Sequence, residues 1–196
     1  LSDREGAFDD EARELLEKIS TLGHGMSESM EDLLVLAQVG ELEMSKHAVS
    51  VGTIVDKVLV GFSSFLHENS QKVNINTLPH SRLPESLLRQ VFSNLVGNAL
   101  HYGQGAAIEV GGERFGDRVR FFVRDHGPGI PATERELVFD LFFRGSGATH
   151  AKGTGIGLAI VEKIARLYHG RVWAEETPGG GVTFCVEMED PLSCDS

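Results

Sequence analysis

Apolar residues recur at steps of three and four between Asp9 and Ser45, with acidic residues among them. This spacing predicts one long amphipathic helix, and a period close to about 3.5 is typical of the seam of a helical bundle or coiled coil. Gly23 and Gly25 weaken its middle, each by about 1 kcal/mol relative to Ala. The period favours dimerisation through this helix over the alternative, packing on its own domain. The apolar positions are Leu15, Leu16, Ile19, Leu22, Met26, Met30, Leu33, Leu34, Ala37 and Leu42.

After this helix the pattern shortens. Residues 47–51 and 72–78 predict short strands, and 53–68 carries a helical pattern between them. Pro84 predicts the start of another helix, because the missing N–H of proline costs nothing at that position. This helix is expected to span 85–102 and to stop at the glycine that follows.

Two hairpins are predicted in the second half of the chain, separated by a segment without period and then by a helix over about 155–169. Each hairpin has two runs of alternating or apolar residues around a turn that contains glycine. Their strands span 107–114 with 118–125, and 171–177 with 182–189.

Composition narrows the function classes. Of 196 residues, 18 are Lys or Arg and 29 are Asp or Glu, so the net charge is −11 and general nucleic-acid binding is not expected. No apolar run is long enough to span a bilayer, and the sequence begins with Leu1, so we expect a fragment whose membrane segment, if the protein has one, lies outside it. Two cysteines without zinc-ligand spacing indicate a reducing, cytoplasmic location.

The helix at 85–102 carries a polar stripe on one face. Gln90, Asn94 and Asn98 lie four residues apart, and His101 and Tyr102 follow one turn later. The other face is apolar and is expected to be core. A buried amide without a partner costs about 1–3 kcal/mol, so these amides need partners. Those partners are either other protein groups or a bound ligand, and the helix pattern leaves both open.

Two glycine-rich turns flank a region that resembles a lid. Asp125 ends a predicted strand and is followed by two glycines, an arrangement that lets a flat ligand approach the backbone and that is also common in ordinary turns. The segment 153–158 leads into a helix, where free N–H groups and the positive end of the helix dipole favour a phosphate. It is neither a P-loop nor a dinucleotide fingerprint. Between the turns, 139–144 is aromatic and 145–152 is rich in glycine, as expected of a lid.

The order of these pieces resembles the ATP-binding domain of sensor histidine kinases, in the wider group that includes the Hsp90, gyrase B and MutL ATPases. Residues 94–102 are similar to the N box of that family, 125–129 to its G1 box, 139–142 to its F box and 153–158 to its G2 box. The run Gly181-Val182-Thr183-Phe184 resembles its final glycine-threonine strand.

The resemblance covers about 47–189 and implies a two-layer α/β sandwich of the Bergerat type, with a mixed, largely antiparallel sheet covered on one face by three helices. It implies three regions. Residues 1–46 would hold the second helix of a dimerisation hairpin, 47–189 the ATP-binding catalytic domain, and 190–196 a flexible tail.

The resemblance also implies residue roles for ATP and Mg²⁺. Asn98 would ligate Mg²⁺ through its amide oxygen, and Asp125 would accept a hydrogen bond from the adenine amino group, with Thr183 supporting it through water. Asn98 and His101 are the catalytic candidates. The other nucleotide-binding candidates are Asn94, Tyr102, Gly127, Gly129, Ile130, Phe142, Arg144, Gly153, Thr154, Gly155, Ile156, Gly157 and Leu158, of which Gly153, Gly155, Gly157 and Leu158 would meet the phosphates.

The sequence departs from the family pattern in two ways. His101 stands where the family usually has Lys or Arg, so a titratable group replaces a permanent charge beside the phosphates. The acceptor-histidine motif of the family is not found in this sequence, and His24, followed by Gly25-Met26-Ser27, does not match it.

The function implied by the resemblance is that of an ATP-dependent protein-histidine kinase of a two-component system. It would act as a homodimer and pass phosphate to an aspartate on a response regulator receiver domain. Two alternatives are an ATP-binding interaction module without phosphotransfer and a serine kinase of the anti-sigma type. The predicted N-terminal helix argues against the second alternative, for which no dimerisation hairpin is expected.

Overall fold

A computed structural model describes residues 43–145 and 154–191, together with scattered positions between 12 and 40. Those from 12 to 37 are helical, in line with the predicted long helix. Their large apolar side chains are exposed, so the predicted seam is open to solvent at Leu15, Leu16, Ile19, Met26, Met30, Leu33 and Leu34. In the described part of the chain, no helix is long and apolar enough to cross a membrane.

A five-stranded mixed sheet forms one layer of the domain, in the order β2-β4-β5-β7-β6. The short edge strand β2 runs parallel to β4, and all other neighbours are antiparallel. Both predicted hairpins are present, as β4 with β5 and as β6 with β7, and the predicted α/β sandwich is confirmed. The strands are β2 (Val73–Ile75), β4 (Ile108–Phe115), β5 (Arg118–Asp125), β6 (Arg171–Glu176) and β7 (Val182–Glu189).

Helices form the second layer. The long helix α3 and the later helix α4 pack against the sheet, and α1 packs against α3. Helix α4 is shorter than the predicted 155–169, and a 3₁₀ turn, Leu137–Phe139, precedes it in the chain. The helices are α1 (Val51–Gly61), α2 (Ser63–Glu68), α3 (Glu85–Tyr102) and α4 (Gly157–Leu167).

The helical pattern predicted over 53–68 is present, but it forms two helices, α1 and α2, because the chain turns at Phe62. Its φ of −99° and ψ of 10° close α1, and its N–H donates to the Leu59 carbonyl. The turn lays the Phe62 ring over Gly97 of α3, where a Cβ would meet the ring edge at 3.5 Å. The break therefore follows Gly61, the last residue of α1, and places the Phe62 ring against α3.

Strand β5 shows how the sheet divides its two faces. Val119, Phe121, Val123 and Asp125 are buried, and they alternate with partly exposed residues, as expected for a strand with one face against helices. The Phe121 ring meets the edge of Phe92 on α3, with centroids 5.4 Å apart. Full burial of each such apolar side chain contributes about 1.5–3 kcal/mol. The core lies between the sheet and the helices, and Asp125 is the polar residue at its end.

The other face of the sheet, the outer face, is lined by arginines and aromatic rings. The Arg120 guanidinium stacks over Phe115 at 5.0 Å and over Trp173 at 5.4 Å. Glu187, only 8% exposed in its side chain, accepts from Arg120 at 3.0 Å and from Arg118 at 3.1 Å. These arginines cover aromatic surface while keeping part of their charge in water.

A second, small sheet ties the entry of the chain to the domain. Strand β1 (Val49–Ser50) pairs antiparallel with β3 (His80–Ser81). The predicted strands 47–51 and 72–78 are present as β1 and as β2 of the five-stranded sheet, and both are shorter than expected. Just before β1, the Ser45 N–H donates to the Arg82 carbonyl at 2.7 Å, and Arg82 Nε donates to the Ser45 carbonyl at 2.8 Å.

Asp190 was predicted to begin a flexible tail, but it is fully buried directly after β7 and bonds to Arg82 and Arg114. Its Oδ1 accepts from the Arg82 N–H at 2.9 Å, and its Oδ2 pairs with the Arg114 guanidinium. Arg114 also donates to the Asp190 carbonyl at 2.6 Å and to the His80 carbonyl at 3.0 Å. A charge this deeply buried is tolerated because each of its oxygens is paired.

Candidate functional site

Asp125 lies at the last position of β5 with 3% of its surface exposed. Its Oδ1 accepts two backbone hydrogen bonds, from Gly127 N–H at 2.9 Å and from Val182 N–H at 3.3 Å. Burial raises the pKa of this carboxyl, and the two N–H donors oppose that rise. Among the described residues Oδ2 has no hydrogen-bond partner, so one oxygen is fixed and the other remains able to accept.

Glycines bring three chain segments against this carboxylate. A Cβ at Gly127 would lie 2.8 Å from the Gly103 Cα, where α3 ends. A Cβ at Gly129, whose φ is +74°, would lie 2.9 Å from the Gly181 carbonyl oxygen. At Gly181 a Cβ would meet the Asp125 carbonyl oxygen at 2.1 Å. These glycines are therefore required by backbone packing around Asp125, before any ligand is considered.

The polar stripe of α3 reaches the start of α4. Asn94 is half-buried, and its Nδ2 donates to the Gln90 carbonyl at 3.0 Å. Its Oδ1 faces Gly157, where a Cβ would approach to 2.6 Å. Asn98, one turn later, is also half-buried, and its side chain has no hydrogen-bond partner in the described part of the chain. The stripe thus presents the Asn94 amide to the N-terminus of α4.

The N-terminus of α4 offers backbone donors. Ile156 is the N-cap residue, and within the described residues no side chain caps the helix and no acid lies in its first turn. The Ile156 N–H donates to Thr154 Oγ1 at 3.2 Å, and the fully buried Ile156 side chain anchors this end in the core. Leu158 packs partly against the same core. Such an end attracts an anion through its N–H groups and its dipole.

The segment before α4 folds back onto this end. Phe142, 61% exposed and in a left-handed conformation with φ of 63°, donates its N–H to the Gly155 carbonyl at 2.9 Å. Gly155 has φ of +71°, and a Cβ there would meet the Phe142 backbone at 3.0 Å. Phe139 is buried against Phe184, with ring centroids 6.2 Å apart. Arg144 follows this segment in the chain. Residues 146–153, which include Gly153 and most of the predicted lid, lie outside the described residues.

His101 and Tyr102 occupy the last turn of α3. His101 is exposed, and its ring meets Phe65 of α2 edge-on, with centroids 5.4 Å apart. Tyr102 is half-buried, and a Cβ at Gly127 would lie 3.1 Å from its carbonyl oxygen. Ile130 packs partly against the core, and its carbonyl accepts from Arg135 Nε at 3.1 Å. The contact of His101 with phosphates stays a prediction, since the structure gives it an aromatic neighbour instead.

The expectation that Thr183 supports Asp125 is wrong in its geometry. The Cα partner of Thr183 on β5 is Arg124, so both side chains lie on the outer face, opposite Asp125. Its hydroxyl accepts from Arg124 Nε at 3.1 Å and pairs with Thr177 Oγ1 at 3.0 Å. The group of β7 that reaches Asp125 is the N–H of the preceding residue, Val182.

Sequence reasoning missed the backbone partners of this site. Asp125 is surrounded by backbone groups of Gly103, Gly181 and Val182. None of these contacts is made by a polar side chain that a motif would reveal. The sequence signal for the first two is the glycine residue itself. Gly103 stands where the helical pattern ends, and Gly181 stands where a strand pattern begins. Within the described residues no cluster of three His, Cys, Asp or Glu side chains is placed to hold a metal ion.

Comparison with known proteins identifies the family. Residues 84–192 match the model of the "histidine kinase-, DNA gyrase B-, and HSP90-like ATPase" family. The phytochrome-like protein Cph1 of Synechocystis sp. is 31% identical over 180 residues, 91% of this chain and 24% of its own length. The sensor histidine kinase AruS of Pseudomonas aeruginosa is 31% identical over 203 residues, covering 97% of this chain and 20% of its own.

Among solved structures, full-length ShkA in complex with AMPPNP is similar, with a TM-score of 0.73 and 27% identity over 85% of this chain and 36% of that one. The chain spans about a quarter or less of the two curated relatives. The family match alone covers more than half of the chain and includes α3, Asp125 and α4. The chain belongs to the family of histidine kinase-, DNA gyrase B- and HSP90-like ATPases.

Proposed function

We propose that this chain is the ATP-binding catalytic part of a protein-histidine kinase, which transfers the γ-phosphate of ATP to a histidine for relay to an aspartate of a response regulator. One observation carries the proposal: α3 contacts the Asp125 turn at its C-terminal end and the start of α4 in its middle. The nine residue steps from Asn94 to Gly103 span about 13 Å at the usual helical rise. This separation suits a nucleotide with its base at one end and its phosphates at the other.

At the base end, Asp125 would accept a hydrogen bond from the amino group of adenine through Oδ2. The two N–H groups on Oδ1 support this role because they fix the plane of the carboxylate. They also favour its ionised form, which is a pure acceptor. Hydrogen bonds to a charged group contribute about 1.5–3 kcal/mol, enough for Asp125 to select an amino over an oxo substituent.

At the phosphate end, the N–H groups of α4 would face the β- and γ-phosphates. Gly157 supports this because it lets α4 approach Asn94 without a side chain between them. Phosphoryl transfer needs positioning and neutralisation of charge more than covalent help from the protein. In the transfer, the bond from the γ-phosphorus to the bridging oxygen of ADP breaks as a bond to an imidazole nitrogen forms, and the imidazole proton leaves to solvent.

A Mg²⁺ ion would accompany the triphosphate. Mg²⁺ keeps several waters and takes few protein oxygens, so a cluster of carboxylates is not required. The half-buried amide of Asn98, unpaired within the described residues, fits such a ligand. When bound, the ion would neutralise charge on the phosphate oxygens, and Asn98 would hold it against α3.

The exposed apolar positions of the N-terminal helix support a homodimer as the working form. Leu15, Leu16 and Ile19 are more than half exposed, as are Met26 and Met30. A helix with such a seam buries it against a second copy or a neighbouring helix. The receiver domain of a response regulator is the proposed phosphate acceptor downstream.

Calorimetric titration tests the nucleotide site first. The chain is titrated in Mg²⁺ with a non-hydrolysable ATP analogue and with the matching purine riboside triphosphate, which lacks the amino group. We expect about tenfold or greater preference for the ATP analogue. Equal affinity would contradict the role of Asp125.

The transfer itself is tested with γ-labelled ATP and a separately supplied helical hairpin that carries an acceptor histidine. Acid-labile label on the hairpin supports the proposal, since phosphohistidine is acid-labile and phosphoserine is not. Acid-stable label would favour the serine-kinase alternative, and ATP binding without any label would favour the interaction module.

A further inference from the structure

The turn between β6 and β7 delivers the Val182 N–H to Asp125. Three successive glycines in this turn, Gly179, Gly180 and Gly181, have φ values of +91°, +108° and +104°. Glycine has more backbone freedom than any other residue, so such a run does not hold one conformation by itself. Gly181 packs so closely on Asp125 that a Cβ there would lie 2.1 Å from the Asp125 carbonyl oxygen. A shift of the turn therefore changes the backbone packing around Asp125.

Thr177 ties this turn together with three hydrogen bonds. Its N–H donates to the Gly181 carbonyl at 3.2 Å, and its carbonyl accepts from the Gly180 N–H at 2.9 Å. Its hydroxyl pairs with the Thr183 hydroxyl at 3.0 Å. The first two bonds are between backbone groups of the glycine-rich turn, whereas the third connects the turn to the side chain of a sheet residue.

The Thr183 hydroxyl is itself held by the sheet. It accepts from Arg124 Nε at 3.1 Å while it pairs with Thr177 Oγ1. Both hydroxyls are buried, with 1% of Thr177 and 4% of Thr183 exposed. Buried bonds of this kind polarise one another and are not replaced by water when one partner is removed. Arg124 directly precedes Asp125, so the same strand anchors the turn and carries the carboxylate.

We propose that Thr177 is a positioning residue for adenine recognition, acting from the outer face of the sheet through Thr183 to hold the Val182 N–H on Asp125. This inference rests on one part of the proposed function, namely that Asp125 accepts a hydrogen bond from the adenine amino group. Thr177 touches neither the carboxylate nor the proposed base position. Its hydroxyl sets where the second donor to Oδ1 stands, and thereby the direction of Oδ2.

The test compares two ligands on one set of variants. Thr177→Val keeps the shape of the side chain and removes the hydroxyl. It is expected to weaken binding of the ATP analogue about fivefold, the change that corresponds to one ordinary hydrogen bond. Binding of the purine riboside analogue should stay unchanged, because this ligand has no amino group to be read. Thr177→Ser restores the hydroxyl and should restore the preference.

Thr77→Val is the matched control, since Thr77 is an exposed threonine. It should change neither affinity. Thr183→Val breaks the same hydroxyl pair from the other side and gives the second measurement if Thr177→Val does not fold. A parent chain that does not distinguish the two ligands would contradict the role of Asp125 itself. A parent that distinguishes them, with variants that lose both affinities equally or neither, would overturn the positioning role of Thr177 alone.

Discussion

The two hydrogen bonds on one oxygen of Asp125 make Asp125→Asn a change of specificity rather than a simple loss. In the variant, the amide oxygen should stay at the Oδ1 position, where it accepts from the Gly127 and Val182 N–H groups. The NH₂ group then stands where Oδ2 stood, because the opposite orientation would set donors against donors. A donor in that place repels the amino group of adenine and suits the oxo group of hypoxanthine.

The magnitude follows from the bonds exchanged. ATP loses a charge-assisted hydrogen bond of about 1.5–3 kcal/mol, and ITP gains a neutral one of about 1 kcal/mol. The ratio of ATP to ITP affinity should therefore fall by roughly a hundredfold or more.

Burial raises the pKa of Asp125, so the ionised carboxylate costs folding free energy as pH rises through that pKa. Removing the charge should leave the ligand-free domain at least as stable at neutral pH.

The assay is calorimetric titration of both proteins with non-hydrolysable ATP and ITP analogues, beside thermal unfolding without ligand. Asp56→Asn, which makes the same charge change at an exposed position on α1, is the control and should leave the ratio unchanged. A variant that is folded and loses both ligands in parallel would refute the orientation argued from the Oδ1 bonds. So would a variant that binds ATP as the parent does.

Three further predictions address the rest of the site. Gly157→Ala should weaken ATP but not adenosine, since its Cβ would push Asn94 aside at 2.6 Å, whereas Gly61→Ala, with open space around it, should affect neither in the same titrations. ATP affinity should decline on acidification toward the raised pKa of Asp125, and this acidic limb should vanish in Asp125→Asn; an unchanged limb would assign it to another group. Asn98→Ala should remove much of the gain in ATP affinity that Mg²⁺ gives, measured with and without EDTA, and an undiminished gain would exclude Asn98 as its ligand.

The elements that could be predicted from the sequence are those in which one residue pattern decides the structure. The period of α3 placed Asn94 and Asn98 on one face, and the structure brings that face to α4. The residue pattern of β5 placed Asp125 at the end of a strand, where the structure has it. In both cases local periodicity and burial agree, so no distant contact was needed.

The features that were missed depend on register and on distant packing. The side of the sheet that Thr183 occupies follows from its pairing with Arg124, and a register difference of one residue reverses the face. The break after α1 places the Phe62 ring against Gly97, a contact between residues distant in sequence. Neither is encoded in a local pattern, which is why the resemblance alone implied that Thr183 supports Asp125.

The bonds among Ser45, Arg82 and Asp190 have a consequence for how this domain is carried in longer chains. Through Arg82 they hold Ser45, four residues before β1, near Asp190, the residue after β7, so the entry and the exit of the domain are neighbours. A domain with adjacent ends is inserted into or joined to other domains with little strain. Its own chain also tolerates circular permutation, in which the old ends are joined and new ends are opened elsewhere. A circular permutant that connects the two ends with a short linker and opens elsewhere on the surface should keep the same nucleotide pocket.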